Sequence, residues 1–130
     1  MRTIQEADSK LAELQSSVDT LAVLHGDLHH DNLLRSSREP WLAIDPKGRI
    51  GEPVCEFAGL IRNPIDQLGR VSELRLFLSR RVDQLVEHTG HDRSRLVGWA
   101  RVLAVAACCW QLEDEDIASD AWLRVAAALA

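Results

Sequence analysis

Cysteine is scarce in this chain and is not patterned for metal or redox work. Cys55, Cys108 and Cys109 form no C-x-x-C pair, and their number is odd. Buried thiols in a reducing compartment give that pattern, so a cytoplasmic location is expected. Positive charge is also in short supply: 15 Lys and Arg stand against 20 Asp and Glu, a formal charge of −5. No basic stripe and no interleaving of basic with aromatic residues occurs, so nucleic acid is not an expected partner. An acidic chain suits a cationic ligand, and equally suits no ligand at all. The first ten residues, M-R-T-I-Q-E-A-D-S-K, lack the apolar core of a signal peptide. The longest apolar region, residues 96–112, is broken by Gly98 and Arg101 and is expected to fall short of a membrane span. No repeat or low-complexity linker divides the sequence. A length of 130 residues is enough for one domain with a real core, expected over 1–130.

Helical periodicity accounts for much of what is there. Ile4, Ala7, Leu11, Leu14 and Val18 repeat at three- and four-residue spacing and predict a helix over 3–17, packed on later helices. Pro53 suits a first helical turn, and Phe57, Leu60 and Ile61 give the apolar face of a helix reaching Arg62. Asn63-Pro64 ends it, because the residue before proline avoids the α region. A helix over 70–89 is expected from Val71, Leu74, Leu78, Val82, Leu85 and Val86, with Gly90 as its C′ residue. Asp92 should cap a third helix, 93–112, apolar nearly all round and therefore central, with Cys108 and Cys109 as small core residues. Residues 113–116 form an acidic run, expected in a turn, either as a clamp for cationic amines or as a solvated loop. A last helix over 118–130 should turn Trp122, Val125 and Leu129 inward.

The chemistry concentrates in residues 24–48, L-H-G-D-L-H-H-D-N-L-L-R-S-S-R-E-P-W-L-A-I-D-P-K-G. Two short apolar segments, Leu33-Leu34 and residues 41–44, flank the turn formers of 36–40, which predicts a β-hairpin. A hairpin returns the chain to its starting end. It would bring Asp45 beside Asn32, with Asp27 just before the first strand. An amide oxygen and a carboxylate suit Mg²⁺, a hard cation that keeps waters and phosphates as further ligands. Asp27 is then left to accept a proton from an attacking hydroxyl. An Asp, an Asn five residues on and a metal-binding Asp after a strand-turn-strand is the protein-kinase arrangement. Gly48 and Gly51 bracket G-R-I-G, read as a turn.

H-G-D-L-H-H-D-N, I-D-P-K-G and G-E-P-V-C-E-F-A-G-L-I-R-N-P together resemble the aminoglycoside/hydroxyurea antibiotic-resistance kinases, the streptomycin 6-phosphotransferases among them. The resemblance spans about residues 21–64 in motif form. It implies the C-terminal lobe of a protein-kinase-like fold, mainly α with a small β-hairpin. It also implies transfer of the ATP γ-phosphate to an alcohol group of a small, aminoglycoside-like cationic molecule, with ATP and Mg²⁺ as cofactors. By that resemblance Asp27 is catalytic, and Asn32 and Asp45 hold the metal and nucleotide. His25 braces the loop, and Glu56 hydrogen-bonds the loop backbone. His29 stands where one large group of protein kinases places a phosphate-contacting lysine, which implies a phosphate contact or a structural role. His30 is expected to face solvent. Asp31 departs from the pattern, where glycine is expected.

A kinase of this type also has a nucleotide-binding lobe, with a loop over the phosphates and a lysine on a strand. No glycine precedes Gly26, and no V-A-I-K-like strand occurs. The expectation is therefore a C-terminal lobe alone, as a truncated form, a fragment or half of a split gene, inactive by itself and prone to self-association. Two alternatives remain: a non-catalytic remnant of such a kinase, and a metallohydrolase that uses the His/Asp density of H-G-D-L-H-H-D to hold zinc.

Overall fold

The structure, a computed structural model, describes residues 2–115 and 120–130. Helices dominate: α1 (Arg2–Ser16), α2 (Ala58–Arg62), α3 (Ile65–Leu68), α4 (Leu74–Thr89), α5 (Arg93–Glu115) and α6 (Asp120–Ala128). Four short strands complete it: β1 (Ala22–Leu24), β2 (Leu33–Leu34), β3 (Leu42–Ala43) and β4 (Arg49–Gly51).

Helix α5 is the axis on which α1, α2, α4 and α6 pack. Its sequence is apolar nearly all round, and Leu96, Trp99, Ala100, Val102, Ala104 and Val105 are buried. The alanines let neighbouring helices approach closely, while Leu14 of α1, Leu78 and Val82 of α4 and Val125 of α6 fill the space between. Asp92 caps α5 by accepting from the Arg95 N–H at 2.8 Å, and Gly90 ends α4 in the left-handed region (φ 71°). Cys108 is buried and Cys55 and Cys109 are half-buried. Burial pushes the Cys55 thiol up to about 11, which makes it unreactive at neutral pH.

Several elements differ from the sequence expectation. The acidic run at 113–115 is helical and not a turn, because Gln111, Leu112 and Glu113 are good helix formers that continue α5; Asp116 lies outside the described residues. At 23 residues α5 is long and apolar enough to cross a membrane by length and composition, contrary to the expectation for 96–112. Half of that apolar window is buried against the other elements. The helix expected over 70–89 begins only at Leu74, and residues 65–68 form a separate short helix that periodicity did not show. The last helix runs over Asp120–Ala128; the expected residues 118 and 119 lie outside the described set.

The strands form two nested antiparallel pairs. Leu33 pairs with Ala43 and Leu34 with Leu42, which is the expected hairpin in shorter form. Outside it, Ala22, Val23 and Leu24 pair with Gly51, Ile50 and Arg49. The G-R-I-G segment is thus a strand and not a turn. This outer pair escapes sequence patterning because its partners lie far apart in the chain and both central side chains face out, Val23 at 81% and Ile50 at 74% exposure. Trp41, expected within a strand, lies just before β3 and is 57% exposed, under the Arg35 guanidinium at 4.9 Å.

Candidate active site

The nested ladders decide where the candidate side chains sit. The inner pair fixes Asn32 at the start of β2 and Ile44 at the end of β3, and the Ile44 N–H donates to the Asn32 carbonyl at 2.9 Å. The Lys47 N–H donates to the His25 carbonyl at 2.7 Å, and the Gly48 N–H donates to it at 3.3 Å. Asp45 lies between these two anchors. It takes a left-handed backbone (φ 56°), the one positive φ among the described non-glycine residues. That region costs most L-residues about 1–2 kcal/mol, and Asp is among the few that enter it readily. The bend ends the strand and swings the chain back toward the 25–32 loop.

That loop is held from three sides. Glu56, in the single-turn helix Pro53–Phe57, accepts from the His25 N–H at 2.5 Å and from the Gly26 N–H at 3.1 Å. The His25 Nε2–H donates to the Ile44 carbonyl at 2.7 Å, and its Nδ1 accepts from the Asp27 N–H at 3.3 Å. Together these bonds specify one neutral tautomer, with the proton on Nε2. The Asn32 amide, 8% exposed, donates from Nδ2 to the Asp27 carbonyl at 2.8 Å and ties the two ends of the loop together. Gly59 closes the third side. A Cβ there would stand 2.1 Å from the Leu28 carbonyl oxygen, so α2 can reach the loop only with glycine at this position.

The carboxylates have different surroundings. Asp27 Oδ1 lies 3.6 Å from His29 Nε2, and His29 Nε2 lies 3.4 Å from Asn32 Nδ2, so the imidazole sits between catalytic candidate and amide. Asp45 is exposed and paired with Lys47 at 2.8 Å. That bond holds the Asp45 carboxyl below its ordinary range and raises Lys47. Asp31 is 86% exposed and closes the loop as a short 3₁₀ turn, its N–H donating to His29 Nδ1 at 3.4 Å. No left-handed backbone is needed there, so the departure from glycine leaves this loop intact. His30 is exposed.

The donor set suits a hard cation. The Asn32 Nδ2 is spent on the loop and its Oδ1 makes no hydrogen bond among the described residues. Asp45 is kept ionised, with a lysine ammonium at its carboxylate where a cation would sit. Two oxygen groups are what a Mg²⁺ shared with phosphates asks of a protein. Among the described residues no group of three or more His, Cys, Asp or Glu converges as a metal site, so the protein-only zinc centre of the hydrolase alternative is not formed there.

Sequence reasoning left several residues without a role. Lys47 stands within the I-D-P-K-G motif yet had no assigned partner. Glu52 accepts from Arg95 Nε and Nη2 at 2.5 and 2.8 Å and from Trp99 Nε1 at 2.7 Å, which locks the end of β4 to α5. Its partners lie 43 and 47 residues away, beyond any local pattern. Arg62, at the end of α2, lines the cavity beside Asp27. Its sequence signals are a place in the G-E-P-V-C-E-F-A-G-L-I-R-N-P motif and a charge at the end of an apolar helical face, neither of which assigns it a role.

Comparison with known proteins gives the class first. The family described as aminoglycoside/hydroxyurea antibiotic resistance kinase matches residues 2–115, and the chain belongs to that family. Among individual relatives, a streptomycin 6-kinase of Streptomyces griseus is 36% identical over 92 residues, covering 71% of this chain and 30% of that protein. A streptomycin 6-kinase of Streptomyces glaucescens is 34% identical over 119 residues, 92% of this chain and 38% of that protein. A hydroxyurea phosphotransferase of Kitasatospora aureofaciens is 35% identical over 117 residues, 90% of this chain and 32% of that protein. The chain thus spans about a third of the length of these relatives. No solved structure matches it significantly.

Proposed function

We propose that this chain carries the acceptor-side chemistry of a phosphotransferase that moves the γ-phosphate of ATP to an alcohol group of a small molecule, within a protein-kinase-like C-terminal lobe. The observation that supports the reading is the pair of backbone anchors, Ile44 to Asn32 and Lys47 to His25, that bracket Asp45 next to the loop carrying Asp27. Asp27 takes the proton of the attacking hydroxyl. The hydroxyl oxygen bonds to the γ-phosphorus as the bond to the bridging oxygen of ADP breaks. Asn32 Oδ1 and the Asp45 carboxylate would hold the Mg²⁺ that accompanies ATP, which when bound neutralises charge on the transferring phosphates. Lys47 must release Asp45 for that, and the ion pair is exposed enough to open at little cost. His25 and Glu56 keep the loop rigid, so that Asp27 meets the hydroxyl in one orientation. His29 Nε2, 3.6 Å from Asp27 Oδ1, would offer an N–H to the transferred phosphate.

The cavity beside Asp27, about 470 Å³, runs to Trp99, Leu103 and Trp110 of α5 and is the acceptor site in this reading. Two of the relatives are named for streptomycin and one for hydroxyurea; we assign this chain an aminoglycoside-type acceptor of that group. The test is a chimera in which this chain replaces the matching third of the S. griseus kinase. It should transfer phosphate from ATP to streptomycin. Asp27→Ala should lower turnover by about 10²–10⁴-fold, the usual contribution of a positioned base, with little change in nucleotide affinity. Asp45→Ala should weaken Mg-ATP binding instead. A folded chimera in which both substitutions weaken nucleotide binding equally would contradict the division of roles.

A further inference from the structure

The walls of the cavity beside Asp27 are charged, and most of that charge is already spent. Glu56 is occupied by the His25 and Gly26 N–H groups, Glu52 by Arg95 and Trp99, and Lys47 by Asp45. Arg62 is different. Its Nε is fully buried and has no hydrogen-bond partner. Among the described residues its guanidinium forms neither a hydrogen bond nor an ion pair; it lies over the Trp122 ring, 5.4 Å from the centroid. Burial lowers its pKa, and the negative charge of Asp27 across the cavity opposes that shift. A largely buried cation without a hydrogen-bonded partner is costly to keep, and replacing such a group by an apolar one is often neutral or stabilising. A guanidinium is also a planar fork of donors that meets phosphate oxygens in pairs.

We propose that Arg62 receives a phosphate group in this cavity beside Asp27. This deepens the phosphotransferase reading, on which the choice of a phosphate over another anion rests. The phosphorylated alcohol formed at Asp27 carries non-bridging oxygens that need donors, and Arg62 supplies them from the wall of the same cavity. Asp27 and Arg62 then divide the work: one handles the acceptor oxygen and its proton, the other the charge on the transferred group.

The test uses the 130-residue chain and inorganic phosphate, without nucleotide or turnover. Thermal unfolding and phosphorus NMR line widths are followed against phosphate, with acetate and chloride at matched ionic strength. Phosphate should raise the unfolding temperature, and acetate and chloride should not. Arg62→Met should weaken phosphate binding by about tenfold or more, Arg62→Lys by less, and Arg49→Met, at an exposed position of the same cavity, by no more than about twofold. Without phosphate, Arg62→Met should unfold at or above the wild-type temperature. Three results would overturn the proposal: unchanged phosphate binding in Arg62→Met, an equal response to acetate, or an Arg62→Met chain that fails to fold, which would make the guanidinium structural. Phosphate binding that depends on Arg62, in a chain whose chimera fails the Asp27 test, would keep the anion site and remove the phosphotransferase reading. The reverse pair of results would remove the anion site alone.

Discussion

Glu52 carries more of the architecture than any residue the sequence singled out. It joins the end of β4 to α5 through Arg95 and Trp99, and Arg95 in turn donates to the Leu14 carbonyl and the Ser17 hydroxyl at the end of α1. The Arg95 guanidinium, and after it the Trp99 N–H, hold the Glu52 carboxyl below the usual carboxylate range. A carboxyl depressed in the folded state stabilises the fold above its unfolded pKa, about 4.3, and that stability is lost as pH falls through the folded value. The wild-type chain should therefore lose stability on acidification below about pH 4.3, and Glu52→Gln should flatten that loss. Glu52→Gln should also cost about 2–4 kcal/mol at neutral pH by chemical denaturation, because Arg95 is left partly buried without its bidentate partner. Glu52 stands in the G-E-P-V-C-E-F-A-G-L-I-R-N-P motif, but nothing local in the sequence gives it a partner. Asp27, Asn32 and Asp45 stand out as candidates because their spacing is local and their residue types are chemically particular. Glu52 and Arg62 take their meaning from partners across the fold.

At the scale of elements, the helices were legible and the strands only partly so. A helix with one buried face writes it into the sequence at three- and four-residue intervals, and α1 and α4 carry that record, whereas α5 shows as a long stretch apolar nearly all round behind the Asp92 cap. The strands are two or three residues long, too short to alternate. The β2–β3 hairpin was found from its turn formers, whereas the β1–β4 pair has no such marker. That pair nevertheless aligns His25 with Lys47, and so places Asp45. Helix α2 reaches the same loop through Gly59. Gly59→Ala should push α2 off the Leu28 carbonyl, because the contact is with backbone and cannot be relieved by a rotamer. A cost of about 1–3 kcal/mol is expected by denaturant unfolding. Faster amide hydrogen exchange confined to the residue 25–32 loop should accompany it. An unchanged exchange pattern would show that α2 does not position the loop.

Over the whole molecule, one helical core supports a small, strand-framed edge where the candidate site residues collect. The packing around α5 fixes that edge indirectly, since Glu52, just before the short helical turn, holds the end of β4, and Glu56, within it, holds the 25–32 loop. The mostly helical character and the family were open to sequence reading, because periodicity and three ordered motifs are both local signals. The β1–β4 ladder that ties Lys47 to His25, and the place of the Arg62 guanidinium in the cavity, have no such local signal. The central claim is that Asn32 and Asp45 together hold a metal that comes with the nucleotide. Two oxygen groups bind a divalent ion weakly alone and depend on the phosphates for the remaining ligands. Paramagnetic broadening by Mn²⁺, measured by NMR on the 130-residue chain with and without ATP, tests this even when affinity is low. The account predicts broadening centred on the Asn32 side-chain amide and the backbone of residues 44–46, dependent on ATP and lost in Asp45→Ala. Broadening centred on His25, His29 and Asp31 and indifferent to ATP would contradict it.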